Sequence, residues 1–282
     1  MKNMDFHRRF QPLTARPFSQ DSTYREAPPS PALAPFVRCF WGSSEEFSLS
    51  AAGLYTDRLI IPDTCVDMII QTEDHAVRCR FCGLDQEAYR SDMTAGTCAV
   101  FAVRLYFWAV PFLIREEARC MAIPVSSCEA YFPGIETYLE EHDFASCSFQ
   151  EKTALLERYL LCRLDTEQVP APLLNSVDFL LKHHGSLSIK ELAEHSVVSS
   201  RTLERMFKRH MGMQPKKLAD LVRYQVLWRH ALTRHDFQIQ DEVFELGFYD
   251  QAHLLNTFRR YHGMGLGEAL EYSFPSLPDS GR

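Results

Sequence analysis

Two stretches decide how this chain reads: SSRTLERMFKRHMGM (199–213) and YDQAHLLNTFRRYHGM (249–264). Each has a leucine, a phenylalanine four residues on, two basic residues, a ring, one more residue and then Gly-Met. From Leu203/Leu254 through Phe207/Phe258 to Gly212/Gly263 and Met213/Met264 the offset is a constant 51. Apolar residues spaced by four mark one helical stripe. Ser199 and Asp250 are cap-type residues ahead of each run, and Gly212 and Gly263 are stop signals behind them. The chain carries the same basic amphipathic helix twice.

The flanks supply the partners. Ser188 followed by Glu191 has capping-box form and predicts a short helix over IKELAEH, 189–195. A short helix, a turn and a second helix are the proportions of a helix-turn-helix. Ile189, Leu192, Ala193, Leu203, Met206 and Phe207 can share its core. Helices are also predicted over about 173–183, over 215–231 opened by Pro215, in IQDEVFEL before Gly247, and over 266–272. That makes seven helices and no strand.

Arg201, Glu204, Arg205 and Lys208 fall at i, i+3, i+4 and i+7, so they project together with Ser200 at the helix start. Such a helix fits the major groove, where arginine can pair with guanine and lysine can hold phosphate. In the second copy Gln251, Ala252, Leu255, Asn256 and Arg259 point outward; glutamine and asparagine suit adenine edges, and Leu255 or Ala252 could touch a thymine methyl. Two readers on one chain need a separation near 34 Å, one turn of DNA. The 215–231 helix supplies roughly 25 Å of it at 1.5 Å per residue. Since the copies differ in sequence, the site they read is non-palindromic.

Charge looks contrary at first. The 282 residues carry a net −7, but residues 200–234 hold nine Lys and Arg against two Asp and Glu. A local +7 is a footprint suited to phosphates, although a solvated helix face would look the same on charge alone.

The N-terminal half is different. Residues 1–35 hold six of the 15 prolines and read as an extended leading segment. From 36 to 125, runs such as DRLIIPDTCVDMIIQ and TCAVFAVRLYFWAVPFLI are β-branched or aromatic and broken by Pro, Gly and Asp. Residues 134–164 turn helical, and DTEQVPAP (165–172) ends the pattern. The expected fold is α+β: a mostly antiparallel β domain with terminal helices (36–165), an all-α domain (173–272) holding two helix-turn-helix units, and a disordered tail (273–282).

Residues 186–272 resemble the DNA-binding domain of AraC-family (AraC/XylS-type) transcription regulators. The carriers are SIKELAEHSVVSSRTLERMFKRHMGMQPKKL, LVRYQ and ELGFYDQAHLLNTFRRYHGM. The resemblance places Arg201, Glu204 and Arg205, then Gln251, Ala252, His253 and Asn256, at base-facing positions. PDTCVDMI, FCGLDQEAY and FAVRL extend it, more weakly, to the N-terminal domain of a "GYYDQAHF" subgroup. It implies a DNA-binding transcription regulator rather than an enzyme. The partners it implies are double-stranded DNA, RNA polymerase, a small-molecule effector and a second copy of the chain. Three positions depart from the family: Val197 replaces a small residue, Glu242-Val243 stands for Ile-Ala, and Leu266 for Pro. A charge at an apolar position is costly unless satisfied.

Handles for an effector are few. Arg104, inside FAVRLYFW, could hold an anion or form a structural ion pair. Cys79 and Cys82 have C-x-x-C spacing, but on a strand they point to opposite faces, and no second pair exists, so no metal or other cofactor is expected. Nine cysteines without a secretory signal suit reduced thiols in the cytoplasm. They leave open an alternative, a thiol-based redox or alkylation sensor fused to a DNA-binding module. No apolar run approaches the roughly 20 residues of a membrane span.

Overall fold

In the computed structural model, the described residues are 4–18, 24–43, 59–73, 76–90, 99–114, 123 and 125–274. Strand alternation builds the N-terminal half. In β5 (Ala76–Cys82) exposed and buried residues alternate, turning Val77, Cys79 and Phe81 inward. This strand joins β1 (Tyr24–Ala27), β2 (Val37–Ser43), β4 (Cys65–Glu73), β7 (Ala99–Tyr106) and β8 (Val125–Ser127) in an antiparallel sheet of order β1-β2-β7-β4-β5-β8. A separate two-stranded ribbon pairs β3 (Leu59–Ile60) with β6 (Tyr89–Arg90).

One sheet face is apolar. Phe40, Met68, Phe81, Phe101 and Val103 are buried there; after a short α2 (Val110–Leu113), α3 (Ile135–Glu141) and α4 (Phe149–Arg163) cover it. The Phe101 ring lies 5.7 Å from Phe144 and 5.0 Å from Phe149. The opposite face carries a row of directly opposed residues across four strands, Cys39–Arg104–Asp67–Cys82.

Helices follow in the order expected. They are α5 (Ala171–Lys182), α6 (Ile189–His195), α7 (Ser200–Met211), α8 (Pro215–Thr233), α9 (Ile239–Glu245), α10 (Gln251–His262) and α11 (Leu266–Ser273). The long α8 buries 12 of its 19 residues, including Arg223, Gln225 and His230. A helix buried nearly all round is a central element, not a surface rod.

The leading segment departs from expectation. Residues 1–35 were expected to be a plain extended lead-in, yet α1 (Phe6–Arg9) and β1 lie within them, and Phe6, Phe10, Ala15 and Leu33 are buried. Phe6 and Phe10 pack edge-on to Trp108 at 5.7 and 6.3 Å. The backbone of this segment finds its partners on α8: Trp228 Nε1 donates to the Thr14 carbonyl at 3.1 Å and Arg229 to the Gln11 carbonyl at 2.5 Å. Proline removes backbone donors but leaves every carbonyl free to accept, so a proline-rich stretch can still be tied down by side chains. Of the tail, 275–282 lie outside the described residues.

Candidate nucleic-acid interface

The two repeats fold alike, cap by cap. Ser199 accepts from the Thr202 N–H at 3.2 Å, and Asp250 from the His253 N–H at 2.7 Å. Each helix is 12 residues long. Gly212 (φ 60°) and Gly263 (φ 78°) end them in the left-handed region and donate back to the carbonyls of Lys208 and Arg259. This αL stop favours glycine because it has no Cβ to clash. Leu203 and Phe207 anchor α7, as Leu254 and Phe258 anchor α10.

With the apolar stripe inward, the other face is left to solvent. Ser200, Arg201, Glu204, Arg205 and Lys208 are all exposed. None of the three cations has an ion pair or side-chain hydrogen bond among the described residues. Arg209, which the sequence reading passed over, is in the same condition. Its signal was there in the two adjacent basic residues shared by both copies.

The sequence-level charge count overstated this footprint. Of the nine cations in 200–234, several serve the protein itself. Arg223 is buried, pairs with Asp220 at 2.9 Å and lies 4.5 Å from the Phe248 ring centre. Arg229 holds the leading segment, Lys216 pairs with Asp220 and Arg234 with Glu242 and Glu245. Those on α8 have protein partners because that helix is buried. The cations open to a partner are concentrated on α7.

On α10, Gln251, Ala252, His253, Asn256 and Arg259 are likewise exposed. Four of them, with half-buried Leu255, form one wall of an open cleft of about 800 Å³, opposite Phe237–Gln240 and Gly265–Gly267. His253 stands apart: its Nδ1 accepts from the Tyr249 N–H at 3.3 Å and its ring packs on Phe248. Beside this helix Phe244 and Tyr249 are 92% and 90% exposed. The alternation rules had no reason to single them out.

Arg104 is held in place by carboxylates. Its Nε and NH2 take both oxygens of Asp67 at 3.0 and 2.9 Å, and NH1 reaches Asp63 at 3.1 Å. The Trp41 indole completes the group by donating to Asp67 at 2.9 Å. Burial alone would lower the Arg104 pKa; the two carboxylates outweigh it and hold it above its ordinary value. Of the two sequence readings, the geometry is that of the structural ion pair.

The buried thiols of the sheet sit in the opposite setting from reactive ones. Burial pushes Cys82 up to about 12 and raises Cys39, Cys65 and Cys128 as well, whereas a nucleophilic cysteine needs a depressed pKa. Cys79 faces the core and Cys82 the other face, as strand geometry requires. Cys98 and Cys120 lie outside the described residues.

Comparison with known proteins agrees with this geometry. A family described as a helix-turn-helix domain matches residues 192–271, and one described as a domain of unknown function (DUF6597) matches residues 25–122. The HTH-type transcriptional activator RhaS of Escherichia fergusonii is 32% identical over 98 residues, 34% of this chain and 35% of RhaS. RhaS of Enterobacter sp. (strain 638) is 30% identical over 128 residues, 44% of this chain and 45% of that one. The chain therefore spans well under two thirds of the curated relatives it matches. ToxT of Vibrio cholerae aligns with 77% of this chain and 92% of its own at 12% identity, with a TM-score of 0.39, too loose a likeness to carry an argument. No helix among the described residues is long and apolar enough to cross a membrane. The C-terminal region, residues 192–271, is a helix-turn-helix domain of the AraC/XylS type.

Proposed function

We propose that this chain is a sequence-specific DNA-binding transcription regulator that reads two successive major-groove segments of a non-palindromic site, α7 in one and α10 in the next. The observation that carries the reading is the set of exposed cations, without ion pairs among the described residues, on a capped and core-anchored α7, repeated in build at α10. Arg201, Glu204 and Arg205 face base edges, Lys208 holds phosphate, and Gln251, Ala252, His253, Asn256 and Arg259 serve the second segment. At 19 residues, α8 spans roughly 28 Å at 1.5 Å per residue, most of one turn of DNA.

The N-terminal domain controls the reader through α8. Gln225 of that helix binds the backbone of Leu13 and Pro62, and Lys217 at its start meets Gln86. A small-molecule effector, RNA polymerase and a second copy of the chain complete the proposed set of partners, with the cytoplasm as the location. Selection of binding sites with the full chain, followed by footprinting, tests the reading. Two protected segments, centred about 10 base pairs apart, are expected. A single segment, or no enriched sequence, overturns it.

A further inference from the structure

The two helix-turn-helix units differ at one buried position. In the first unit α6 turns Leu192 and Ala193 into the core. At the matching point of the second, α9 buries Glu242, 1% exposed. Its carboxylate is fully engaged. Oε2 lies 2.8 Å from His230 Nδ1 and Oε1 lies 2.9 Å from Arg234 NH1, both on or just beyond α8. Arg234 also grips Glu245 with both nitrogens, at 2.7 and 2.8 Å. His230, Glu242 and Glu245 have the composition of a metal site, but the Arg234 guanidinium already bridges the two carboxylates.

We propose that Glu242, His230 and Arg234 are positioning residues that set the orientation of the second reading helix, and with it the spacing between the two readers. The inference rests on the two-segment reading above. α9 is a seven-residue helix whose N-cap, Gln238, makes no side-chain cap bond, whereas α6 has a full capping box. What fixes α9 is therefore its link to α8. An apolar contact such as that of Leu192 is non-directional. A carboxylate gripped from two sides by charge-assisted hydrogen bonds fixes angle as well as distance. Buried ion pairs add little net stability compared with apolar residues of the same volume, and in this proposal what the Glu242 cluster supplies is orientation. α9 packs directly on α10, so its orientation passes to Gln251, Asn256 and Arg259.

The test is base-by-base binding of the full chain to its selected site. For the wild type, each wrong base under either helix should weaken binding roughly 5- to 150-fold. Glu242→Leu, which gives the second unit the residue of the first, should fold and keep full discrimination under α7. Under α10 its discrimination should fall to about threefold or less per base, against the usual cost of a mismatch. Glu242→Gln, which keeps a hydrogen-bonding group, should restore part of it. Should Glu242→Leu fail to fold, Arg234→Lys takes its place, since it keeps the charge but loses the fork, and the same selective loss is expected. A folded variant that discriminates under α10 as the wild type does, or loses both halves equally, overturns the proposal. A wild type sensitive under one helix only sinks the two-segment reading instead, whatever the variants do.

Discussion

Gln225, midway along α8, donates its side-chain amide to the carbonyl of Pro62 at 2.7 Å, a contact across 163 residues of sequence. The same side chain accepts from the Leu13 N–H at 2.8 Å and donates to the Leu13 carbonyl at 3.1 Å. One buried amide thus joins three segments: the leading strap, the turn before β4 and the long α8. Gln225→Leu should orphan an N–H and two carbonyls. A cost of about 2 kcal/mol is expected, read as a lower urea midpoint, with faster proteolysis of residues 4–18. Unchanged stability would mean that these groups find water instead.

Arg205 and Lys208 lie on the exposed face of α7 and carry no structural partner among the described residues. Arg205→Ala should cost about 1–3 kcal/mol of specific binding and relax one base position. Lys208→Ala should weaken all sequences alike and lower the salt slope by about one. Neither should move the melting temperature. If both leave affinity for the selected site intact, α7 does not enter the groove.

Val197 sits in the turn of the first unit at φ 56° and is 89% exposed. A β-branched side chain in the left-handed region is strained by about 1–2 kcal/mol. Exposure means that no packing offsets it. Val197→Gly should stabilise the chain by about 0.5–1 kcal/mol, after allowing for the greater freedom of glycine when unfolded. Denaturant titration checks this. DNA affinity should not change.

Asp85 lies near Asp63 and Asp67, and burial followed by those two charges pushes its pKa up to about 7. A carboxyl whose folded pKa is raised binds more protons folded than unfolded. Its contribution is fully present below the ordinary value near 4 and is lost as pH rises towards 7. Asp85→Asn should therefore be more stable than the wild type at pH 8, and the difference should shrink steadily below pH 7, being smaller at pH 5 and gone only near pH 4. Parallel denaturation curves at the two pH values measure it. An equal difference at both would exclude Asp85 as the titrating group.

The sequence by itself determined both repeated helices. Ser199, Asp250, Gly212 and Gly263 are local signals, and the Leu-to-Phe spacing is a property of one helix face, so caps, lengths and outward residues of α7 and α10 could be read without any partner. Cys79 and Cys82 fell on opposite faces for the same local reason. Tertiary structure decided everything that depends on a distant partner. It drew Arg223, Arg229 and Arg234 out of the apparent basic footprint, gave Glu242 the Arg234 and His230 partners that make its burial tolerable, closed Arg104 between Asp63 and Asp67, and turned the proline-rich lead into a strap on α8. A residue's own chemistry is visible along the chain. The group that satisfies it lies as much as 218 residues away, and only packing brings the two together.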